Sequence, residues 1–254
     1  MSNLPKSYQG ESHPSFEFNK NCQSCGLCKG TEGLAVGPAG PDNLSLVRLI
    51  IISDHPGYYE ITNGFPFYPN DKERNKAKGL PKFPTAGAYI RRILYRNLQI
   101  DSWNECWMTN AVKCTNQNKK DTITIKDSFV KECVLLWLKE ELTLLHEVNP
   151  ELPILVLGRH ALRAIKYLDP SLKNTLGNNL KKLSRSVYYL WSSHPLIFSV
   201  NPAAVADSEF RMESERGYYI KGNIKKVKEI EKFPPLPGSP QWVFEKDIEI
   251  VKQF

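Results

Sequence analysis

Residues 44–57 read LSLVRLIIISDHPG, and this stretch decides the fold. The run from Leu44 to Ile52 is almost continuously apolar and rich in branched side chains, which is typical of a strand buried on both faces of a parallel sheet. It ends at the polar turn His55-Pro56-Gly57. Because such a strand needs helices on both sides of its sheet, the stretch predicts an α/β fold.

The rest of the chain alternates between predicted helices and predicted strands. This alternation predicts a single-domain, three-layer α/β/α architecture with a central, mostly parallel sheet. The further strands are predicted at 106–112, 152–157, 187–191 and 196–200, and the helices begin near Thr85, Ile125, Gly158, Ala203 and Gly222. We expect a flexible arm over residues 1–21, the domain itself over 22–232 and a wrapped extension over 233–254.

The charge balance narrows the class of partner. A formal net charge of +7 attracts a phosphate polyanion or an acidic membrane surface, and charge alone does not choose between them. No apolar run is long enough to span a bilayer and the N-terminus lacks a secretory signal, so we expect a cytoplasmic protein without a membrane partner. In that reducing compartment the six cysteines are expected to be thiols, metal ligands or core residues rather than a disulfide framework.

Polar or glycine-bearing segments follow four of the predicted strands. Ligands of open α/β sheets bind beyond the carboxyl ends of the strands, so these segments are expected to surround the site. They are 54–57 (DHPG), 110–113 (NAVK), 158–160 (GRH) and 201–203 (NPA).

The cysteines suggest a metal centre. Cys22 and Cys25 stand two residues apart, which lets a tight turn direct two sulfurs at one metal, and Cys114 and Cys133 follow the second strand. The spacing does not separate a zinc site, an iron–sulfur cluster and buried free thiols.

The order of the motifs resembles the iron–sulfur uracil-DNA glycosylases usually called family 4. The resemblance covers roughly residues 22–210, and each of its motifs is weak alone. The matching segments are Cys22/Cys25, 53–60 (SDHPGYYE), 64–67 (GFPF), 85–87 (TAG), 110–114 (NAVKC), Cys133, 157–161 (LGRHA) and 201–203 (NPA).

The resemblance implies a [4Fe-4S] cluster on Cys22, Cys25, Cys114 and Cys133. Cys28 is an alternative ligand, and Cys106, inside a predicted strand, is expected to be core.

The resemblance also implies that DNA is bound through a flipped nucleotide, by a monomer. Phe67 would stack on the base and Asn110 would read its edge, with Gly57 beside them in the base pocket. Core packing for Phe67 and turn capping for Asn110 are the alternatives.

Cleavage of the glycosidic bond leaves a cationic sugar and an anionic base, which a carboxylate and a hydrogen-bond donor would stabilise. Asp54 stands at the family's glutamate position, and capping of the turn is its alternative role. His55 would position the water, and Asn201 replaces the usual histidine of the last motif, with His194 as a rival alignment.

Two basic residues and one insertion complete the expected interface with DNA. Lys113 and Arg159 are expected to contact phosphate or to face solvent. The basic insertion Asn70 to Lys82 lies beside the expected pocket.

These features predict a monofunctional DNA glycosylase that leaves an abasic site. The changes at Asp54, His55 and Asn201, with the insertion, favour either a divergent uracil enzyme or one that removes a larger modified pyrimidine, such as a hypermodified cytosine in viral DNA, as antiviral defence. A non-catalytic iron–sulfur or zinc module that binds nucleic acid is the main alternative, and an electron-transfer protein is disfavoured because dinucleotide glycine motifs are missing.

Overall fold

A five-stranded sheet forms the centre of the computed structural model, which describes residues 4–9, 11–22, 24–27, 35–69, 85–115, 125–202 and 240–254. Within these residues the strand order is β2-β1-β3-β5-β4, and only β4 runs antiparallel to its neighbour. The strands are β1 (Leu49–Ser53), β2 (Cys106–Asn110), β3 (Ile154–Leu157), β4 (Val187–Leu190) and β5 (His194–Ser199).

Helices cover both faces of the sheet. A π-helical turn, Val134–Leu138, joins α3 to α4, so these two helices occupy the place of the single long helix predicted from Ile125. The described helices are α1 (Tyr58–Asn63), α2 (Ala86–Leu98), α3 (Asp127–Cys133), α4 (Lys139–Val148), α5 (Arg159–Leu168), α6 (Leu172–Thr175), α7 (Leu180–Leu183) and α8 (Pro240–Val251).

Strand β1 shows why the fold has three layers. Its residues are fully buried and alternate between two cores, because successive side chains of a strand point to opposite faces. Ile50 and Ile52 pack in the core that includes residues of α3, α4 and α5, whereas Leu49 and Ile51 pack in the core that includes α2 and α8. The predicted α/β/α architecture is therefore confirmed.

Local sequence explains where several elements begin. The strand predicted from Leu44 starts only at Leu49, because Leu44–Leu46 forms a 3-10 turn whose Ser45 amide donates to the side chain of Asn43. Thr85 caps α2 by accepting a hydrogen bond from the amide of Ala88 at 3.2 Å. The helices predicted from Ala203 and Gly222 lie outside the described residues.

The segment before the domain packs more closely than expected, whereas the C-terminal helix packs against the domain as a wrapped extension would. We expected residues 1–21 to be a flexible arm, but Tyr8, Phe16 and Phe18 are buried, because these aromatic side chains complete the cores beside the sheet. Within the predicted extension, helix α8 buries Phe244 and Ile248 against the core of α2. None of the described helices combines the length and apolarity required to cross a membrane.

Candidate active site

The carboxyl ends of the parallel strands bring the predicted site segments to one edge of the sheet. Ser53 pairs with Asn110 at the ends of β1 and β2, and Leu157 pairs with Ser199 at the ends of β3 and β5. The residues that follow these strands are thereby placed side by side, as the sequence predicted.

Asp54 joins three of these segments. Its Oδ1 accepts hydrogen bonds from the backbone amides of His160, at 2.7 Å, and Ala161, at 3.1 Å, in the first turn of α5. Its Oδ2 accepts a longer bond, 3.5 Å, from the side-chain amide of Asn201. Gly158 has a φ of +101°, and a Cβ at that position would collide with the Asp54 carboxylate. Asp54 therefore caps α5 and also holds Asn201.

The position of Asn201 decides between the two alignments of the last motif. Asn201 follows the carboxyl end of β5 and reaches Asp54, whereas His194 begins β5 at the opposite edge of the sheet. His194 is buried there, and its ring nitrogens contact the carbonyl of Leu152 at 2.9 Å and Nδ1 of His146 at 3.0 Å. The rival alignment through His194 is therefore wrong.

Two imidazoles lie next to Asp54. The ring of His55 contacts the carbonyl of Pro56 through Nδ1, at 3.3 Å, and its centroid lies 6.2 Å from that of His160. Nδ1 of His160 is buried without a hydrogen-bond partner among the described residues. Burial lowers the pKa of His160, an effect that the negative charge of Asp54 opposes. Sequence reasoning placed the 158–160 segment at this edge but did not select His160.

Asn110 carries an unused amide. The residue ends β2 and is 1 % exposed, and neither its Nδ2 nor its Oδ1 has a hydrogen-bond partner among the described residues. A buried amide that lacks both partners costs free energy, so it calls for a ligand or an ordered water to satisfy it. An amide donates and accepts at once, which matches the edge of a pyrimidine base.

Phe67 is held in an unusual backbone conformation. Its φ is +54°, in the left-handed region that phenylalanine seldom adopts, and its side chain is buried. The amide of Phe67 donates to the Glu60 carboxylate, and its carbonyl accepts from Nε of Arg91 at 3.3 Å. A Cβ on Gly87 would collide with that carbonyl, so only glycine allows α2 to approach the loop so closely.

Glu60 and Arg91, which together hold the Phe67 loop, were not predicted. Burial raises the pKa of Glu60 to about 7, although its hydrogen bonds from Gly57 and Phe67 oppose the shift. The guanidinium of Arg91 lies 3.6 Å from the ring centroid of Trp103 and 5.1 Å from that of Tyr8. The only sequence signal for Glu60 was its place in the matched 53–60 segment, and Arg91 had none.

A comparison with protein families shows the family of this chain. The model of the uracil DNA glycosylase superfamily matches residues 41–215, which is more than half of the chain and includes all the strands described above. The chain belongs to this superfamily. No curated protein matches the chain.

The roles predicted for Gly57 and Arg159, in the base pocket and at the phosphate, stay predictions. The amide of Gly57 donates to Oε2 of Glu60 at 2.5 Å, which ties the exposed Gly57 to the Phe67 loop. Arg159 is exposed at the first turn of α5, where it is accessible to phosphate.

The expectation that Lys113 contacts phosphate or faces solvent is wrong. Lys113 is 1 % exposed, and its ammonium forms an ion pair with the buried Glu141 of α4 and a hydrogen bond with Thr109. Nε1 of Trp107 donates to the other oxygen of Glu141 at 3.3 Å. A buried carboxylate needs such partners, and Lys113 supplies the compensating charge.

The predicted cluster ligands lie in one region of the protein. Cys22, Cys25, Cys114 and Cys133 all pack in or against the core of α3 and α4. A hydrogen bond with Cys133 lowers the pKa of Cys25 to about 6. Cys106 is a buried free thiol in β2, as expected of a core residue. Cys28 lies outside the described residues.

These cysteines do not form a complete set of metal ligands. Cys114 is in a disulfide, contrary to the expectation of thiols, and a disulfide sulfur is not a thiolate ligand. In the part of the chain that the structure describes, no three His, Cys, Asp or Glu side chains are grouped to hold a metal ion. An iron–sulfur cluster therefore requires reduction of Cys114 and approach of Cys22 to the Cys25–Cys133 pair.

Proposed function

We propose that the protein is a monofunctional DNA glycosylase that flips out a pyrimidine nucleotide, hydrolyses its N-glycosidic bond and leaves an abasic site. The observation that carries the proposal is the amide of Asn110, buried and without a partner among the described residues, at the strand edge of a superfamily domain. An amide that served only to cap a turn would be hydrogen-bonded to the backbone. A nucleic-acid-binding module without catalysis can use the same amide to read a base edge, so release of the base is what distinguishes the two functions.

The residues around Asn110 supply the other requirements of base removal. Hydrogen bonds with Glu60 and Arg91 hold the backbone of Phe67. Its buried ring packs in the core of α2 and would form the surface on which the flipped base stacks. Asp54 and Asn201 meet at the ends of β1 and β5. There the carboxylate stabilises the cationic sugar and the amide donates to the departing base.

We further propose that the substrate is either uracil or a larger modified pyrimidine, such as a hypermodified cytosine of viral DNA. Support for the larger base comes from the changed residues Asp54, His55 and Asn201 and from the insertion Asn70 to Lys82, which lies outside the described residues. Polar groups that read one base reject its analogues strongly, so several changes at one edge favour a changed substrate. An enzyme with that substrate would act in antiviral defence.

An assay of base release tests the proposal. Oligonucleotides that contain uracil, and phage DNA that contains modified cytosines, are incubated with the protein and then treated with alkali to reveal abasic sites. We expect cleavage only after alkali and no covalent complex after borohydride, because Lys113, which follows β2 in the described part of the chain, is buried in an ion pair with Glu141. Efficient release of uracil with no action on the modified DNA would exclude the larger substrate.

We also propose that a [4Fe-4S] cluster binds to Cys22, Cys25, Cys114 and Cys133, as in the family 4 enzymes that the sequence resembles. The contact between Cys25 and Cys133, which are distant in the sequence, supports it. The cluster would have a structural role beside the DNA. Anaerobically purified protein should then be brown and contain about four irons per chain. Stoichiometric zinc without iron would contradict the proposal.

A further inference from the structure

The carboxylate of Asp54 has little capacity left to activate water. Oδ1 already accepts two backbone hydrogen bonds from α5, and Oδ2 lies between Asn201 and the backbone of Gly158. A carboxylate oxygen has two lone-pair sites, so both sites of Oδ1 are occupied. Asp54 is therefore suited to position Asn201 and to supply negative charge. Only Oδ2 keeps a lone-pair site, which favours another acceptor for the proton of the attacking water.

His55 and His160 provide two candidate acceptors beside this carboxylate. Their ring centroids are 6.2 Å apart. Because a ring nitrogen lies about 1 Å from its centroid, nitrogens of the two rings can come within the span of two hydrogen bonds of about 2.8 Å each through one water. When Nδ1 of His55 donates to the Pro56 carbonyl, its Nε2 is left with a free lone pair.

His160 also has an unsatisfied ring nitrogen. Its Nδ1 is buried and has no hydrogen-bond partner among the described residues, whereas its backbone amide is fixed by Asp54. Buried polar atoms of this kind are normally satisfied by an ordered water. The ring is thus held next to Asp54 with one nitrogen that lacks a hydrogen-bond partner among the described residues.

We propose that His160 is a catalytic residue which, together with His55, holds the attacking water and accepts its proton. This inference rests on the proposed glycosylase function. As the bond between the sugar C1′ and the base nitrogen breaks, its electron pair leaves with the base. The water oxygen bonds to C1′, and one water proton passes to an imidazole nitrogen of the pair. The protonated imidazole then returns that proton to the departed base or to solvent.

The charges around His160 favour the neutral ring that this step requires. The negative charge of Asp54 faces the ring of His160. The imidazole of His55, which follows Asp54, and the guanidinium groups of Arg159 and Arg163 in α5 face it as well. Burial has the largest effect and lowers the pKa of His160, which favours the neutral ring. Base release should therefore decline as the pH falls through the pKa of His160.

His160→Gln and His160→Ala test the assignment in the full-length protein. Both variants keep the backbone amide that binds Asp54, and glutamine keeps a hydrogen-bonding side chain that cannot take a proton. His146→Gln, at the opposite edge of the sheet, is the matched control for the loss of an imidazole. Single-turnover base release is measured from pH 5 to 9 on the substrate that the wild-type protein cleaves, together with DNA affinity and thermal unfolding.

We expect both His160 variants to release base about a hundredfold more slowly at pH 8, to lose the decline at low pH and to bind DNA normally. His146→Gln should keep the wild-type profile. Recovery of the wild-type rate in His160→Gln but not in His160→Ala would assign His160 a structural role and overturn the inference. A wild-type pH profile in the His160 variants would also overturn it. If the wild-type protein binds DNA but releases no base from any substrate, the proposed function itself fails.

Discussion

Glu60 is the residue whose protonation is most closely connected to the geometry of the site. In its ionised form it accepts hydrogen bonds from the amides of Gly57 and Phe67, which fix the stacking loop. Its pKa is raised to about 7 in the folded protein, above the ordinary value of 4.5. The unfolded chain therefore ionises first as the pH rises, and the folded state loses stability between these two values.

Replacing Glu60 by glutamine should remove this pH dependence. We expect the free energy of unfolding of the wild-type protein to fall between pH 4.5 and 7 by on the order of 1–3 kcal/mol and then to level off. Glu60→Gln should flatten the curve, and its single carbonyl should leave one of the two amides without an acceptor. Urea unfolding at several pH values measures the effect, and an equally steep curve in the variant would show that another group titrates.

Lys113 and Arg159 are two predicted phosphate contacts with opposite environments. Lys113→Met leaves Glu141 buried without its cation, so we expect it to destabilise the protein by about 3–5 kcal/mol without changing the salt dependence of DNA binding. Arg159→Ala, at an exposed position, is the matched comparison. It should preserve stability and lower the slope of log K against log salt by about one. The reverse pattern would restore Lys113 as a DNA contact.

Several residues of the site could be predicted from the sequence for a simple physical reason. Asp54, Asn110 and Asn201 follow buried strands, and the carboxyl ends of parallel strands meet at one edge. The burial of Lys113 was not predictable, because its partner Glu141 comes from a later helix and no local pattern connects the two. Arg91 reaches Phe67 only because α2 packs closely at Gly87, and that contact likewise has no sequence signature.

At the scale of single elements, the start of α5 connects the fold to the site. Gly158 adopts a φ of +101° at the end of β3, and this turn directs the first amides of the helix at the Asp54 carboxylate. The positive end of the helix dipole lies at the same place. The element therefore orients Asp54 through its backbone.

Gly158→Ala should disturb both stability and catalysis. The added methyl group would occupy the position of the Asp54 carboxylate, and alanine disfavours this backbone conformation, so we expect a loss of more than about 1 kcal/mol in stability. The rate of base release should fall by more than the loss of folded protein explains, because Asp54 is displaced from Asn201. Gly177→Ala is the control, since a Cβ there meets nothing within 4 Å. Equal base release by the two variants would show that the position of Asp54 does not matter.

At the scale of the whole molecule, two cores enclose the sheet beneath the site. β1 has side chains in both cores, and helix α8 completes one of them with Phe244 and Ile248. Superfamily membership and this architecture together account for the meeting of Asp54, Asn110, His160 and Asn201 at one edge. The central claim is that this edge breaks a glycosidic bond in DNA.

The most direct test is detection of the released base by mass spectrometry under single-turnover conditions. The wild-type protein is compared with Asn110→Ala and with Asn149→Ala, a control that removes an exposed amide after α4. The account predicts free base from the wild type and the control, and at least a hundredfold less from Asn110→Ala, because the base edge loses its partners. Tight DNA binding by the wild-type protein without any free base would contradict the account.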